Sequence, residues 1–335
     1  MSFKVLTDTS ANLPTPLLKQ RDIGVIGFCY YIDGVEHSCL DTERFDSKAF
    51  YDSIRGGTKV STSLISPEKY RTAFEECVSS GEDVVYVGMS SGISGSFSVA
   101  VSVANELMEQ YPGRRIETVD TIGASLGEGF FALMAADARD AGKDALETAE
   151  GLRSKVPEMC QVFTVDDLMH LRNTGRLSNA AAWVGTVLNI KPLLKGNTEG
   201  KIMSFAKALG RRRSIDMIAD RYDKLVRNSE SQVIGIAHAD CSADVEYLIK
   251  LLNKKHPPKD IMVVDYEPVT GSHVGPGALA LFFMGDADFR KDKPVISLPN
   301  LPNIPNILKR DKDQNKADFQ QEDTGAACPE AADGV

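Results

Sequence analysis

The six cysteines, Cys29, Cys39, Cys77, Cys160, Cys241 and Cys328, are scattered over 335 residues and form no C-x-x-C pair. Zinc and redox-dithiol chemistry therefore have no framework, and reduced thiols in a cytoplasm are expected. The opening MSFKVLTDTS lacks the basic start and apolar core of a secretory leader. No apolar run approaches the roughly 18 residues of a membrane span. There is no surplus of positive charge either. The formal net charge of -9 argues against general nucleic-acid binding, which requires a basic face, though it leaves room for a small local basic patch. A Walker loop is missing, as is a G-x-G-x-x-G after the first strand, and Gly123, Gly127 and Gly129 have the wrong spacing for one. No histidine pair has metal-ligand spacing such as H-E-x-x-H, so neither metal nor nucleotide cofactor is expected.

What is present is an ordinary globular composition, 42% hydrophobic and 25% charged. The length exceeds one ordinary core, and two domains are expected. Phe3–Leu6 reads as a buried strand that runs into the capping residues Thr7-Asp8-Thr9-Ser10. Gly24–Ile32 and Val35–Leu40 flank Asp33-Gly34, a strong hairpin signal. Ser66-Pro67-Glu68 opens a helix to about Val78 with an N-cap serine and a proline at the first helical position. Strands Val84–Val87 and Arg115–Val119, each followed by a loop and a helix, argue for a mostly parallel α/β sheet. A second unit begins near Met159. Its expected elements are strands near Val162–Val165, Lys201–Phe205, Gln232–His238 and Asp260–Tyr266, a helix Ala180–Leu188 containing Trp183, and a last apolar helix Ala278–Met284. These give an N-terminal α/β domain 1–158, a C-terminal α/β domain 159–297 and a disordered polar tail 298–335.

Three hydroxyl-bearing segments stand out: Ser61-Thr62-Ser63, the SSGISGSF loop Ser90–Phe97, and Gly271–Gly277 with His273. Ser and Thr cap helices and form turns wherever they occur. In open parallel sheets, however, loops of this kind gather beyond the carboxyl ends of strands, where free N–H groups favour an anion. Two chemistries fit such a cluster. Gly92-Ile93-Ser94-Gly95-Ser96 approaches the G-x-S-x-G elbow of a serine hydrolase but has serine at the final glycine, and Ser94, His273 and Asp240 would complete a triad. Alternatively the hydroxyls fix a polar headgroup whose hydrocarbon lies along an apolar wall such as Ala278–Met284. Arg211-Arg212-Arg213 sits near a helix start, against the macrodipole. Arg176 lies in the turn Thr174-Gly175-Arg176-Leu177-Ser178, able to hold a carbonyl or an anion.

The stretches VLTDTSANLP, STSLISP, SSGISGSF, VDTIGASLGEG, LRNTGRLS and GSHVGPGALALFF occur in order and resemble the DegV family over roughly residues 3–290. The resemblance implies two α/β domains with a ligand cleft between them and a long-chain fatty acid as ligand. It implies a non-catalytic protein that presents the carboxylate to an ATP-dependent fatty acid kinase for acyl phosphate formation, feeding phospholipid synthesis. Thr62, Ser94 and His273 match the residues that hold the carboxylate, and Arg176 matches an arginine tied to productive use by the kinase. Tunnel lining is expected from Ile122, Phe130, Phe282 and Phe283, and ligand exchange implies transient membrane contact. Leu64-Ile65 replaces the family's usual Gln-Pro after Thr-Ser, which bears on chain preference.

Overall fold

The computed structural model describes residues 3–178 and 189–291. The expected helix Ala180–Leu188 and the expected tail 298–335 lie outside the described residues. Along the chain come β1 (Phe3–Asp8), α1 (Thr15–Gln20), β2 (Ile23–Ile26), β3 (Tyr30–Ile32), β4 (Val35–His37), α2 (Ser47–Arg55) and β5 (Val60–Thr62). Next are α3 (Pro67–Ser79), β6 (Asp83–Gly88), α4 (Ser96–Gln110), β7 (Ile116–Asp120), α5 (Leu126–Asp140) and α6 (Ala145–Lys155). The rest comprises β8 (Met159–Thr164), α7 (Met169–Asn173), β9 (Ile190–Gly196), β10 (Ile202–Leu209), α8 (Arg211–Leu225), β11 (Val233–His238), α9 (Ser242–Lys255), β12 (Asp260–Asp265), α10 (Pro268–Val274) and β13 (Leu279–Met284).

The first sheet has the order β2-β1-β6-β7 and is parallel throughout, as the strand–loop–helix alternation predicts. Its strands are apolar on both faces because helices cover both. Val84 and Tyr86 pack with Tyr70, Phe74 and Leu107 of α3 and α4, while Val85 and Val87 pack with Phe131 and Ala132 of α5. The Asp33-Gly34 hairpin forms, with φ of 50° and 81° at the two turn residues. That left-handed pair is what a tight two-residue turn needs. β5 then pairs with β3, which fixes Thr62 opposite Tyr30.

The second sheet has the order β10-β9-β8-β13-β11-β12, and it is mixed: β11 and β12 are parallel, the other pairings antiparallel. Here the expected last helix is wrong. Leu279–Met284 is a central strand between β8 and β11, and short apolar runs of this kind carry no periodicity that separates strand from buried helix. Strand alternation then sends neighbours to opposite faces. Phe282 joins the core under α5, whereas Phe283 stacks edge-on against Tyr222 of α8, centroids 5.1 Å apart. The arginine run belongs to the first turn of α8: Arg211 pairs with Asp244 at 2.8 Å and Arg212 covers the Tyr247 ring.

Helix α5 packs against β1 and β6 of one sheet and against β8, β11 and β13 of the other. Over its first three turns this helix is largely buried, and its Phe130, Phe131, Ala132, Ala135 and Ala136 are apolar accordingly. Close approach to β11 is possible because residue 235 is glycine; a Cβ there would lie 2.9 Å from the Phe130 ring.

One polar knot lies inside this core. Ser10 Oγ is 2.5 Å from Asp8 Oδ1 and 2.5 Å from Glu128 Oε2, all fully buried. A hydroxyl has one hydrogen, so it cannot donate to both carboxylates; one of the two carries a proton. Asp8 also accepts from Ser10 N at 2.8 Å and Tyr86 Oη at 2.8 Å, which marks it as the anion. Glu128 has only the Thr7 hydroxyl besides, and that hydroxyl also reaches Val87 O at 2.9 Å. Burial raises both carboxyl pKa values, Glu128 well above the usual range, consistent with Glu128 as the acid. Glu128→Gln, which keeps a donor toward Ser10, is expected to hold stability within about 1 kcal/mol. Asp8→Asn turns a donor toward donors and is expected to cost about 1–3 kcal/mol. Denaturant unfolding of the two variants separates them, and a larger loss for Glu128→Gln than for Asp8→Asn would reverse the proton assignment.

Candidate functional site

A cavity of about 340 Å³ is walled by residues that precede α5 and by residues of the second sheet and α10. Much of the wall is apolar: Phe28, Met89, Ile93, Ile122, Phe163 and Phe282 face it. The polar side chains on it include Thr62, Ser94, Ser125, Gln161, Thr270 and His273, and Arg176 is the single formally charged lining residue among those described. Thus Thr62, Ser94, Arg176, Ile122 and Phe282 meet His273 at one cavity, although 211 residues separate Thr62 from His273. Phe130 and Phe283 do not line it; they sit in the core under β11 and on the far face of β13.

Thr62 comes from the end of β5, His273 from the last turn of α10, and Thr62 Oγ1 lies 2.9 Å from His273 Nε2. The histidine segment is therefore helical and precedes a strand, where the sequence suggested a loop before a helix. Its glycines serve packing rather than approach of backbone to a ligand. A Cβ at Gly275, φ 77°, would strike the His170 ring at 2.3 Å, and one at Gly271 would meet Tyr51 Oη at 2.1 Å. Burial, with the Arg176 charge as a lesser cause, pushes the His273 imidazole down to about 4, so it is neutral at physiological pH. Nδ1 of the same ring is buried without a partner. Arg176 gives one N–H to Thr174 O at 2.5 Å and no carboxylate pairs with it among the described residues. A neutral ring, a hydroxyl and an unneutralised guanidinium on an apolar cavity form a place for one anion.

The serine loop divides its labour. Ser90 Oγ donates to Gly200 O at 2.9 Å, tying the loop to the turn between β9 and β10. Ser96, buried, opens α4 and accepts from Ile65 N at 3.2 Å. Ser94 accepts from Ser96 N at 3.2 Å and donates to Ser96 Oγ at 3.1 Å while lining the cavity. A triad is not assembled: the Asp240 carboxylate pairs with Arg55, and His238 faces Asp265 at 3.4 Å. No group of three metal-ligating side chains occurs among the described residues, and no helix there is long and apolar enough to cross a membrane. Sequence reasoning missed Gln161, Ser125 and Thr270. The one available signal was a glutamine inside the apolar strand MCQVFT.

The chain matches, over residues 2–286, the family model described as an uncharacterised protein of the DegV family. It is 38% identical over 284 residues to a DegV domain-containing protein of Clostridium perfringens, covering 85% of this chain and 98% of that one. A Streptococcus pyogenes DegV domain-containing protein is 33% identical over 285 residues, 85% of this chain and 99% of the relative. Among solved structures, a fatty acid binding DegV family protein from Streptococcus agalactiae superposes with a TM-score of 0.75 at 26% identity, covering 85% and 99% of the two chains. A DegV family protein from Thermus thermophilus, described for its fatty acid binding, gives a TM-score of 0.77 at 24% identity over 85% and 100%. With its parallel first sheet, its mixed second sheet and this match over most of its length, the chain belongs to the DegV family.

Proposed function

We propose that this protein binds a long-chain fatty acid in the apolar cavity and presents its carboxylate to an ATP-dependent fatty acid kinase. The observation that carries the reading is the pairing of an apolar wall with Arg176 unneutralised beside Thr62 and His273. Solved relatives described as fatty acid binding support it. Thr62, Ser94 and His273 are assigned to the carboxylate, Ile122 and Phe282 to the chain. Burial of a methylene is worth about 0.8 kcal/mol, so a chain of about 16 carbons supplies roughly 10 kcal/mol before ordering costs. Each hydrogen bond to the charged head adds about 1.5–3 kcal/mol. The chain sets affinity and the head sets register.

A serine hydrolase of lipid esters would need Ser94 and His273 in contact and a carboxylate behind the ring. The Ser94 hydroxyl is engaged with Ser96, and His273 Nδ1 has no partner. Mass spectrometry of small molecules extracted from the purified protein is expected to show a stoichiometric fatty acid, reduced but present in Ser94→Ala. Labelling of Ser94 by an active-site serine probe would favour the hydrolase.

Protonation offers a second check. Burial and Arg176 keep His273 neutral down to about 4. A carboxylate beside it favours the imidazolium and raises that pKa, so binding takes up a proton and strengthens as pH falls through the raised value toward about 4. His273→Gln is expected to flatten the profile. Comparing variant with wild type by calorimetry cancels the ligand's own titration, and identical proton uptake in both would remove His273 from the headgroup.

Arg176→Ala is expected to retain most of the lipid while acyl phosphate formation with the kinase falls at least about tenfold. Loss of the lipid in a folded variant would place most of the affinity in the guanidinium rather than in the hydrocarbon wall.

A further inference from the structure

This inference rests on the fatty-acid reading and concerns the wall of the cavity contributed by β8 and the loop before α5. Gln161 is the polar residue of an otherwise apolar strand face; its neighbours along that face are Met159 and Phe163. Its amide is held by a cage of glycines. A Cβ at Gly123 would come within 2.6 Å of Gln161 Nε2, and one at Gly127 within 2.8 Å of Cδ. Yet this well-placed amide is poorly satisfied. Oε1 accepts from Ala124 N at 3.4 Å and Nε2 donates to Ile122 O at 3.5 Å, both at the outer limit of a hydrogen bond. The Ile122 carbonyl is already taken by Arg290 Nη1 at 2.9 Å. An amide nitrogen has two hydrogens, so at least one has no protein acceptor among the described residues.

Ser125 lines the same cavity one residue beyond Ala124. Its hydroxyl oxygen accepts from Asn12 Nδ2 at 3.1 Å, and no described acceptor takes its hydrogen. Two neighbouring donors thus remain unspent on a wall that a plain hydrocarbon cannot satisfy. Unmade hydrogen bonds in an enclosed apolar space penalise a plain chain and reward one bearing an acceptor.

We propose that Gln161 and Ser125 form a polar subsite for an oxygen substituent on the acyl chain, so that the preferred ligand class is a hydroxy or keto fatty acid. The oxygen accepts from the Gln161 amide and the Ser125 hydroxyl while the carboxylate occupies the Thr62, Ser94 and His273 cluster. The distance between the two clusters then selects the position of the substituent.

The test compares binding of stearate with hydroxystearates whose hydroxyl is moved stepwise along the chain, by displacement of a fluorescent fatty acid. At least one mid-chain isomer is expected to bind about tenfold more tightly than stearate. Gln161→Met, unbranched and close in volume, is expected to abolish that preference while stearate binds equally well or better. Ser125→Ala is a second, independent variant expected to reduce the preference several-fold. If stearate binds and no isomer is preferred, or if Gln161→Met leaves the preference intact, this inference fails and fatty-acid binding stands. If neither stearate nor any hydroxystearate binds, both fail.

Discussion

The shared proton between Asp8 and Glu128 is the constraint on which the cavity depends. It joins the end of β1 to the first turn of α5 through Ser10, and α5 is the helix that both sheets use as core. A buried carboxylate pair with no proton would repel strongly, and the hydroxyl between them resolves this with one hydrogen on each side. The residues just after Asp8 take their places from this knot. Asp8 caps the turn Thr9–Ala11, and Asn12 leaves it in the left-handed region, φ 58°. From there its amide reaches two ways: Nδ2 donates to Ser125 Oγ at 3.1 Å, and Oδ1 accepts from Glu267 N at 3.1 Å. One side chain near the N-terminus therefore fixes the loop before α5 and the residue that starts α10.

That second link matters because α10 carries Thr270 and His273. Glu267 caps α10 with bonds from Val269 N at 2.6 Å and Thr270 N at 2.5 Å, although burial raises its own pKa to about 7. Tyr51 Oη donates to the Tyr266 carbonyl at 2.7 Å, which pins the residue before the cap. Two groups on α10, Thr270 Oγ1 and His273 Nδ1, are buried with no partner. They leave hydrogen-bonding capacity on the helix that forms one wall.

Much of this frame was legible in the chain. The opening TDTSAN announced a cap, Asp33-Gly34 a hairpin, Ser66-Pro67 a helix start, and the helix expected after strand Arg115–Val119 forms as Leu126–Asp140. Local rules decide those elements, because capping and turn chemistry act within a few residues. The failures are non-local. Ala278–Met284 is apolar at every position, so only its neighbours β8 and β11 determine that it is a strand. That single misassignment placed Phe283 beside Phe282, whereas alternation separates them. Thr62, Ser94 and His273 were found through spaced motifs, while Gln161 was overlooked because one glutamine in a strand has no local signature. Its meaning arises from glycines at 123 and 127, which lie far away in sequence.

The cavity's electrostatics derive from the same arrangement. Desolvation disfavours charge on His273, and Arg176 beside it disfavours charge further, so one positive charge is kept where two were possible. A single fixed cation on an apolar wall attracts an anion without creating a site that water and small ions would fill equally well. The neutral ring is then a directional partner for Thr62, and under the proposed function it would gain a proton when a carboxylate arrives. Under the proposed function, affinity resides in the hydrocarbon wall, which is indifferent to headgroup chemistry. The head cluster would then supply orientation, which a partner acting on the carboxylate would require. A plain apolar groove would bind the same chain with its carboxylate facing either way.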